Sequence, residues 1–329
     1  MSAKKLYQVV VTATERAELS CVEQEFVPLL SDEIYGHTLA SAISPGTELA
    51  WNYQGKQFPN YPGYAAVFEV TEVGSAVRRF KIGDRVLCMG PHCSSQRIKE
   101  HQGVLLPRVV VPEAATLARM MIVPMVTLTT TKARPGQTVL ITGLGLVGHL
   151  AAQIFSQCGY KVLAVEPAEA RRQLAASCGI QSVLEKVPLE DPQICGKVAL
   201  VVECSGFEQA ALDGCRMVRK GGEVVLVGVP WNKRSELSAF DLLTTVFHKY
   251  VVLRSGWEWE LPSQAQDFRI NSTFDNLATA LGWIAEGRIK VESLYKKVAP
   301  ADAPHIYESL LRRTFPYLSA IFDWKDLQP

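Results

Sequence analysis

Apolar and polar positions divide the chain into three stretches with different periodicity. From about residue 112 to 256, short continuous apolar runs alternate with stretches whose apolar residues recur at helical spacing. Continuous apolar runs predict strands buried on both faces, which is typical of a parallel sheet covered by helices. The predicted strands are 138–141, 161–165, 198–203, 223–227 and 250–253, and the predicted helices are 113–132, 147–158, 169–178, 207–217 and 241–248.

The two flanking stretches have a different pattern. Residues 1–111 contain short alternating runs separated by turn residues, which predicts a β-rich domain, and residues 257–329 are mixed. We therefore predict an α/β protein in which residues 1–111 and 257–329 form one domain and residues 112–256 form an inserted parallel-sheet domain. The flanking strands are predicted at 7–11, 65–70 and 84–87, and the flanking helices at 274–286 and 301–311.

The most specific motif lies between the first predicted strand and the helix that follows it. Gly143-Leu144-Gly145-Leu146-Val147-Gly148 comes after strand 138–141, and Glu166 ends the next predicted strand. Strand, glycine turn, helix, strand and terminal acid form the dinucleotide-binding fingerprint of a Rossmann fold. The glycines let backbone N–H groups approach a pyrophosphate, and the helix N-terminus favours that anion. The sequence therefore predicts a nicotinamide dinucleotide as cofactor.

The choice between NAD and NADP depends on Glu166. A carboxylate at this position favours the free 2′-hydroxyl of NAD and repels the 2′-phosphate of NADP. Arg171 and Arg172 follow shortly afterwards, and two adjacent arginines are able to accommodate a phosphate. We therefore predict NAD and keep NADP as the alternative.

Composition narrows the classes of partner. The 329 residues include 34 basic and 33 acidic side chains, for a net charge of +1, which gives no electrostatic case for nucleic acid or an anionic membrane. No apolar run approaches the ~20 residues that span a bilayer, and no apolar signal segment follows the N-terminus. We expect a soluble cytoplasmic protein with a small-molecule substrate. The eight cysteines form no C-x-x-C pair, which is typical of reduced, buried thiols.

Further short motifs appear in order along almost the whole chain. They are Ser44-Pro45-Gly46-Thr47-Glu48, Pro62-Gly63-Tyr64, Val73-Gly74, 80–86, Glu203-Cys204-Ser205-Gly206, Gly221-Gly222 and Val227-Gly228. With the glycine fingerprint, this order resembles the medium-chain dehydrogenase/reductase superfamily of zinc alcohol, sorbitol and threonine dehydrogenases. Residues 44–48 resemble a divergent branch that contains the bacteriochlorophyllide hydroxyethyl dehydrogenases.

The resemblance implies a GroES-like catalytic domain, a Rossmann domain and a homodimer joined through the edge of the nucleotide-domain sheet. Arg171 matches a basic position that is common in NAD-using members. The cofactor-binding residues that the resemblance implies are Gly143, Leu144, Gly145, Leu146, Val147, Gly148, Glu166, Arg171, Ser205 and Gly228.

The departures from the superfamily concern zinc. Zinc members place a ligand Cys three residues before the acid of a C-G-T-D motif, where this chain has Pro45, and a ligand His in a G-H-E motif, where it has Tyr64. Their third ligand precedes the glycine loop, but residues 116–148 contain no Cys, His, Asp or Glu. A catalytic zinc needs three such ligands, so we expect none here. Only Cys88 and Cys93 stand where zinc members carry a four-cysteine structural site.

A site without zinc still has to polarise a carbonyl and move a proton. Thr47 matches the hydroxyl that relays a proton in the superfamily, and Tyr64 is able to donate a hydrogen bond to a carbonyl. The alternative for Tyr64 is that it only fills the volume of the absent metal. Glu48 is expected to orient its neighbours, and the His that ends the relay in the superfamily is replaced by Ala50.

Several other polar and aromatic residues are candidates with a structural alternative. His92 follows Gly-Pro in a loop and is expected to be a surface or hydrogen-bonded loop residue rather than a proton relay. His149 is expected to pack near the start of its helix. A zinc site using His92 and its two neighbouring cysteines is the less favoured alternative. The aromatic candidates for lining the substrate cleft, with packing between the domains as the alternative, are Trp51, Tyr53, Trp257 and Trp259.

Three functions are consistent with these residues. The leading hypothesis is a zinc-independent NAD(P)-dependent oxidoreductase that acts on a secondary alcohol or its ketone, in a sugar-like or ring substrate. The second is a quinone or enone reductase that uses NADPH, since zinc-free members of the superfamily commonly reduce such substrates. The third is a catalytically inactive dinucleotide-binding sensor.

Overall fold

The structure, a computed structural model, describes residues 3–327. Within this range no helix is long and apolar enough to cross a membrane. The chain forms two compact units. The first comprises Met1–Arg119, Leu277–Gly287 and Val291–Pro329, and the second comprises Met120–Asn276 and Arg288–Lys290.

The strands and helices are numbered here in chain order. The strands are β1 (Ala3–Ala13), β2 (Arg16–Glu25), β3 (Glu33–Ala42), β4 (Ala66–Val73), β5 (Arg85–Cys88), β6 (Ser95–Lys99), β7 (Gly103–Leu105), β8 (Thr138–Thr142), β9 (Lys161–Val165), β10 (Val183–Leu184), β11 (Val198–Glu203), β12 (Val218–Leu226), β13 (Val252–Ser255), β14 (Tyr295–Val298) and β15 (Ser319–Asp323). The helices are α1 (Pro45–Thr47), α2 (Pro112–Thr116), α3 (Ala118–Thr130), α4 (Leu146–Gln157), α5 (Glu169–Ser177), α6 (Glu208–Met217), α7 (Ala239–Lys249), α8 (Thr273–Ala285) and α9 (Ala303–Leu311).

The first unit is built on a sheet with the strand order β14-β15-β3-β4-β5-β7, in which β6 also pairs with β3. The hairpin β1–β2 forms a separate antiparallel pair. β15, near the end of the chain, pairs antiparallel with β3, so both flanking stretches of the sequence contribute to one sheet. One of its cores is centred on Tyr307, Phe322 and Trp324, which are fully buried.

The second unit contains a six-stranded sheet with the order β10-β9-β8-β11-β12-β13, in which every pairing is parallel. All six residues of β11 are buried, as the continuous apolar run predicts. Separate apolar clusters involve residues of β8, β11 and β12, because the side chains of a strand alternate between the two faces of the sheet. The predicted fold class, a β-rich domain plus a Rossmann-type parallel sheet, is confirmed.

Some predicted elements differ in detail. The helix predicted at 113–132 is two helices, α2 and α3, because the chain breaks at Leu117. The strand predicted from Tyr250 begins at Val252, since Tyr250 has a φ of 54° and ends α7 in the left-handed conformation. Gly221-Gly222, one of the short motifs, lie inside β12, which begins directly after α6. No strand was predicted from the pattern at β2, β3, β6, β7, β10, β14 or β15.

Candidate functional site

The glycine-rich loop between β8 and α4 holds three glycines with three different surroundings. Gly143 has a φ of 81°, a backbone conformation that favours glycine. A Cβ atom on Gly148 would lie 1.8 Å from the carbonyl oxygen of Gly143, so α4 starts too close to the loop for a larger residue. A Cβ atom on Gly145 would meet nothing within 4 Å, so this backbone faces open space. Gly145 is also the N-cap of α4, whose first residues are Leu146 and Val147.

Glu166 follows β9 and is hydrogen-bonded to the glycine loop. The backbone N–H of Leu144 donates to Oε2 at 2.8 Å, and that of Ala168 donates to Oε1 at 3.0 Å. The Arg171 guanidinium lies 3.6 Å from Oε2, whereas Arg172 donates to two backbone carbonyl oxygens. A carboxylate has about four acceptor positions, so Glu166 keeps capacity for a further donor.

The other predicted cofactor residues follow β11 and β12. The backbone N–H and the hydroxyl of Ser205 both donate to the carboxylate of Glu203, the last residue of β11. Burial raises the pKa of Glu203, while hydrogen bonds from Ser205, Gly206 and Thr142 oppose that rise. A Cβ atom on Gly228 would lie 2.4 Å from the Gly206 nitrogen, so these two loops approach each other through their backbones.

All predicted cofactor residues therefore follow the carboxyl ends of strands that are neighbours in the order β9-β8-β11-β12. Ligands of open parallel α/β sheets bind outside this edge, and helix N-termini favour phosphate groups. The open backbone at Gly145 and the remaining acceptor capacity of Glu166 fit a dinucleotide.

A buried carboxylate lies at the centre of a polar cluster in the first unit. Glu48 is 0% exposed and follows the single turn α1. Its Oε1 accepts a hydrogen bond from the backbone N–H of Ser44 at 2.7 Å, and its Oε2 accepts one from the Tyr307 hydroxyl at 2.5 Å. We call the side chains of Ser41, Glu48, His92 and Tyr307 the Glu48 cluster.

His92 belongs to this cluster, so of its two expected placements the structure shows the hydrogen-bonded loop residue and not the surface residue. It is 1% exposed, with Nε2 3.0 Å from Glu48 Oε2 and Nδ1 2.7 Å from Ser41 Oγ. Trp324 Nε1 donates to Ser41 Oγ at 2.8 Å. The Ser41 hydroxyl is thus able to donate to Nδ1 while Nε2–H donates to Glu48, which satisfies every group. Because the loop bearing His92 is folded into the core, the ring is hydrogen-bonded but not solvated.

Tyr64 and Thr47, two of the three predicted catalytic residues, lie together beside Glu48. The side chain of Tyr64 is partly exposed, and the hydroxyls of Ser44 and Thr47 lie close enough to its phenol to lower its pKa. Burial and the negative charge of Glu48 raise the pKa of Tyr64, while the two hydroxyls and Arg119 oppose the rise. The structure therefore brings Thr47, Glu48 and Tyr64 together.

Arg119 is a member of this site that the sequence analysis did not single out. It is 3% exposed, and its guanidinium carbon lies 4.7 Å from the centroid of the Tyr64 ring. It lies in the 116–148 stretch, which contains no metal-ligand residue. The available signal was that this stretch has three charged side chains and all three are cationic.

These residues do not fit a zinc ion. In the described part of the chain, no group of three or more His, Cys, Asp or Glu side chains is placed to hold a metal. Both oxygens of Glu48 and both ring nitrogens of His92 are engaged in hydrogen bonds. Burial raises the pKa of Cys88 to about 12 and that of Cys93 to about 11, so both thiols are protonated at neutral pH when no metal is bound.

The remaining candidates have mixed outcomes. Tyr53 is buried and stacks on Tyr307 with a centroid distance of 5.3 Å, so it packs in the core and does not line a cleft. Trp51, Trp257 and Trp259 are 59–67% exposed. His149 is buried in α4, and burial lowers its pKa to about 4.

Comparison with known proteins gives two family matches. Residues 37–133 match the alcohol dehydrogenase GroES-like domain, and residues 147–261 match the zinc-binding dehydrogenase domain. An alcohol dehydrogenase from Geobacillus stearothermophilus is 26% identical over 274 residues, which cover 71% of this chain and 75% of the relative.

Solved structures share the fold at low sequence identity. A structure described as a zinc-binding dehydrogenase from Sinorhizobium meliloti, bound to NADP, superimposes with a TM-score of 0.77 at 18% identity, covering 97% of this chain and 99% of that one. Acetophenone reductase from Geotrichum candidum, in complex with NAD, gives a TM-score of 0.79 at 17% identity and covers 99% of this chain and 100% of that one.

Proposed function

Because the chain belongs to the medium-chain dehydrogenase/reductase superfamily, we propose that it is a zinc-independent enzyme that interconverts a secondary alcohol and its ketone. It is an NAD(P)-dependent dehydrogenase/reductase of the alcohol dehydrogenase-like type, and its substrate is a small molecule. The observation that carries the zinc-independent proposal is that Glu48 and His92 are engaged in hydrogen bonds and that the described residues hold no group of three metal ligands, while Tyr64 stands where the resemblance places a ligand His.

The parallel-sheet unit would hold the dinucleotide, which supplies or accepts the hydride when bound. We assign this role to residues 112–256 and the substrate to residues 1–111 with 257–329. The open backbone at Gly145 and the N-terminus of α4 are suited to a pyrophosphate, and Ser205 and Gly228 flank the same sheet edge. Glu166 is suited to a ribose hydroxyl, which favours NAD over NADP.

Tyr64 is the proposed proton donor to the substrate oxygen. When its phenol oxygen accepts hydrogen bonds from Ser44 and Thr47, the single phenol proton is left to point at a third group. Thr47 then holds the phenol in place, and Glu48 positions Ser44 through its backbone N–H.

We propose a secondary alcohol or ketone within a sugar-like or ring substrate, for which the exposed Trp51, Trp257 and Trp259 are the proposed contacts.

The phenol of Tyr64 carries its proton at neutral pH, as any phenol with a pKa at or above 10.0 does, and this favours one direction of the reaction there. A phenol whose pKa lies above its ordinary value of 10.0 carries its proton at pH 7, so it is ready to donate and not to accept. Ketone reduction needs a donor, whereas alcohol oxidation needs an acceptor. We therefore propose that the enzyme works as a ketone reductase near neutral pH.

The function is tested by assaying the purified chain with NADH and NADPH against ketones, quinones and enones. Metal content is measured on the same sample, before and after treatment with EDTA. We expect NADH-dependent ketone reduction that EDTA leaves unchanged. One tightly bound zinc per chain whose removal abolishes turnover would contradict zinc independence. Preference for quinones with NADPH would support the quinone reductase instead, and dinucleotide binding without any turnover would support the inactive sensor.

A further inference from the structure

Arg119 and Tyr64 form a contact for which neither the family matches nor the proposed function accounts. The guanidinium carbon lies 4.7 Å from the centroid of the Tyr64 ring, within the distance at which a cation is attracted to an aromatic face. Arg119 is buried at the start of α3, and Tyr64 immediately precedes the segment that leads into β4. A permanent positive charge is therefore held against the ring of Tyr64, whose phenol also lies near the hydroxyls of Ser44 and Thr47.

We propose that Arg119 stabilises the Tyr64 phenolate that forms when Tyr64 gives its proton to the substrate oxygen. Arg119 is then a positioning residue, which provides beside the substrate site the positive charge that a metal ion provides in zinc members. This inference rests on the proposed function, in which Tyr64 is the proton donor.

The proton transfer is balanced as follows. The O–H bond of Tyr64 breaks, its electron pair stays on the phenolate oxygen, and the proton forms a new O–H bond on the oxygen of the reduced carbonyl. The carbonyl carbon receives the hydride from the reduced nicotinamide dinucleotide. Solvent later returns a proton to Tyr64. Between the donation of the proton and its return, the Tyr64 phenolate carries a negative charge, and Arg119 faces this charge.

The other charged or titratable groups near Tyr64 act in the opposite sense. Glu48 raises the pKa of Tyr64 through its negative charge, and the phenol of Tyr307, itself bound to Glu48, lies close enough for its pKa to be raised in turn by Tyr64. Arg119 is the cation among the groups that act on Tyr64, and it lowers the pKa of the phenol. Without Arg119, no charged group near Tyr64 would favour the phenolate. Only the two neutral hydroxyls of Ser44 and Thr47 would do so.

The test measures the ionisation of the phenol directly and needs no substrate. A fluorotyrosine is incorporated at position 64, and its fluorine NMR signal is followed against pH in the whole chain. Fluorination lowers the pKa of a phenol and so brings the ionisation into the range where circular dichroism shows an intact fold. The measurement is repeated in Arg119→Met, in Arg119→Gln as a second neutral variant, and in Arg119→Lys, which keeps the charge. Arg79→Met is the matched control, because the Arg79 guanidinium lies 5.2 Å from the centroid of the Phe80 ring.

We expect the ionisation of residue 64 to move to higher pH in both neutral variants, to return towards its original position in Arg119→Lys, and to stay unchanged in Arg79→Met. We also expect ketone reduction to fall about tenfold or more in the neutral variants. An unchanged ionisation in a folded neutral variant would overturn the inference. If Tyr64→Phe keeps full ketone reduction, the proposed role of Tyr64 fails, and this result is independent of the NMR titration.

Discussion

At the scale of single residues, the phenol of Tyr64 is the group on which the proposed chemistry depends. We predict that Tyr64→Phe lowers kcat for ketone reduction by roughly 10²–10⁴-fold, because a positioned acid contributes about that much. The ring and its contact with Arg119 remain, and Tyr64 is not among the proposed cofactor-binding residues. Dinucleotide affinity is therefore expected to stay unchanged. Steady-state kinetics and a fluorescence titration with NADH measure the two quantities. Unchanged kcat would leave Tyr64 as a residue that only fills space.

The same phenol predicts a pH dependence with a definite sign. Burial and the charge of Glu48 raise the pKa of Tyr64 above its ordinary value of 10.0, so the donor form persists through neutral pH and is lost as the pH rises through the raised value. Ketone reduction is therefore expected to hold up to alkaline pH, and alcohol oxidation to increase as the pH rises. Rate profiles in both directions, with Tyr64→Phe as the control that lacks this ionisation, measure the effect. Alcohol oxidation that is fastest near pH 6 would contradict it.

The Glu48 cluster makes a separate prediction about stability. The Tyr307 hydroxyl donates to Glu48 Oε2 in a site where both side chains are fully buried. Tyr307→Phe removes a hydrogen bond to a charged acceptor and is expected to lower the free energy of unfolding by about 1.5–3 kcal/mol. Urea unfolding measures the change, and Tyr317→Phe, at a position 38% exposed, is the control. A loss below about 0.5 kcal/mol, which is typical of surface substitutions, would show that the cluster contributes little.

At the scale of elements, the glycine loop offers two substitutions that are expected to affect different properties, dinucleotide binding in one case and stability in the other. A Cβ atom on Gly145 would meet nothing in the chain, so Gly145→Ala is expected to keep the fold but weaken dinucleotide binding by occupying the open space. A Cβ atom on Gly148 would lie 1.8 Å from the Gly143 carbonyl oxygen, so Gly148→Ala is expected to disturb the loop and lower stability by more than about 1 kcal/mol. Thermal unfolding and a titration with NADH separate the two. Equal dinucleotide affinity in Gly145→Ala and the unchanged chain would argue against a pyrophosphate at this loop.

Local pattern was enough to predict strands that are short continuous apolar runs bounded by turn residues. The strands β8, β9 and β11 and the glycine loop follow from continuous apolar runs and from residues that are adjacent in sequence. β3 was missed although most of its residues are buried, because glycine and polar residues interrupt its apolar run, and β14 was missed because it is only partly buried. The break at Leu117 is a local change within an otherwise helical apolar pattern, which periodicity does not resolve.

The candidate site was harder to predict because its contacts join distant parts of the chain. Glu48 meets His92 across 44 positions of sequence and Tyr307 across 259 positions. Thr47, Glu48 and Tyr64 were found because they fall in motifs of the family. Arg119 and Tyr307 fall in none, and only the fold brings them to Tyr64 and Glu48.

At the scale of the whole molecule, one face of the second unit is unusually apolar for an exposed surface. On α7 and the residue that ends it, Phe240, Leu243, Phe247 and Tyr250 recur at helical spacing and are 66–76% exposed. Among the described residues, the next strand, β13, pairs with β12 alone and so forms an edge of the six-stranded sheet. An edge strand next to an apolar helix face is a typical site for a second copy, because two such edges are able to pair around a two-fold axis.

We propose that this surface joins two chains into a homodimer, and the prediction is specific to α7. Phe247→Glu, alone or with Leu243→Glu, places a charge on the apolar face and is expected to convert the dimer to a folded monomer, because an unpaired charge buried in an interface is costly. Analytical ultracentrifugation measures the mass of each variant in solution. Val109→Glu is the matched control, since Val109 is also 76% exposed but belongs to the first unit, and it is expected to stay dimeric. A dimer that survives both substitutions on α7 would place the interface elsewhere, and a monomeric unchanged chain at micromolar concentration would rule the dimer out.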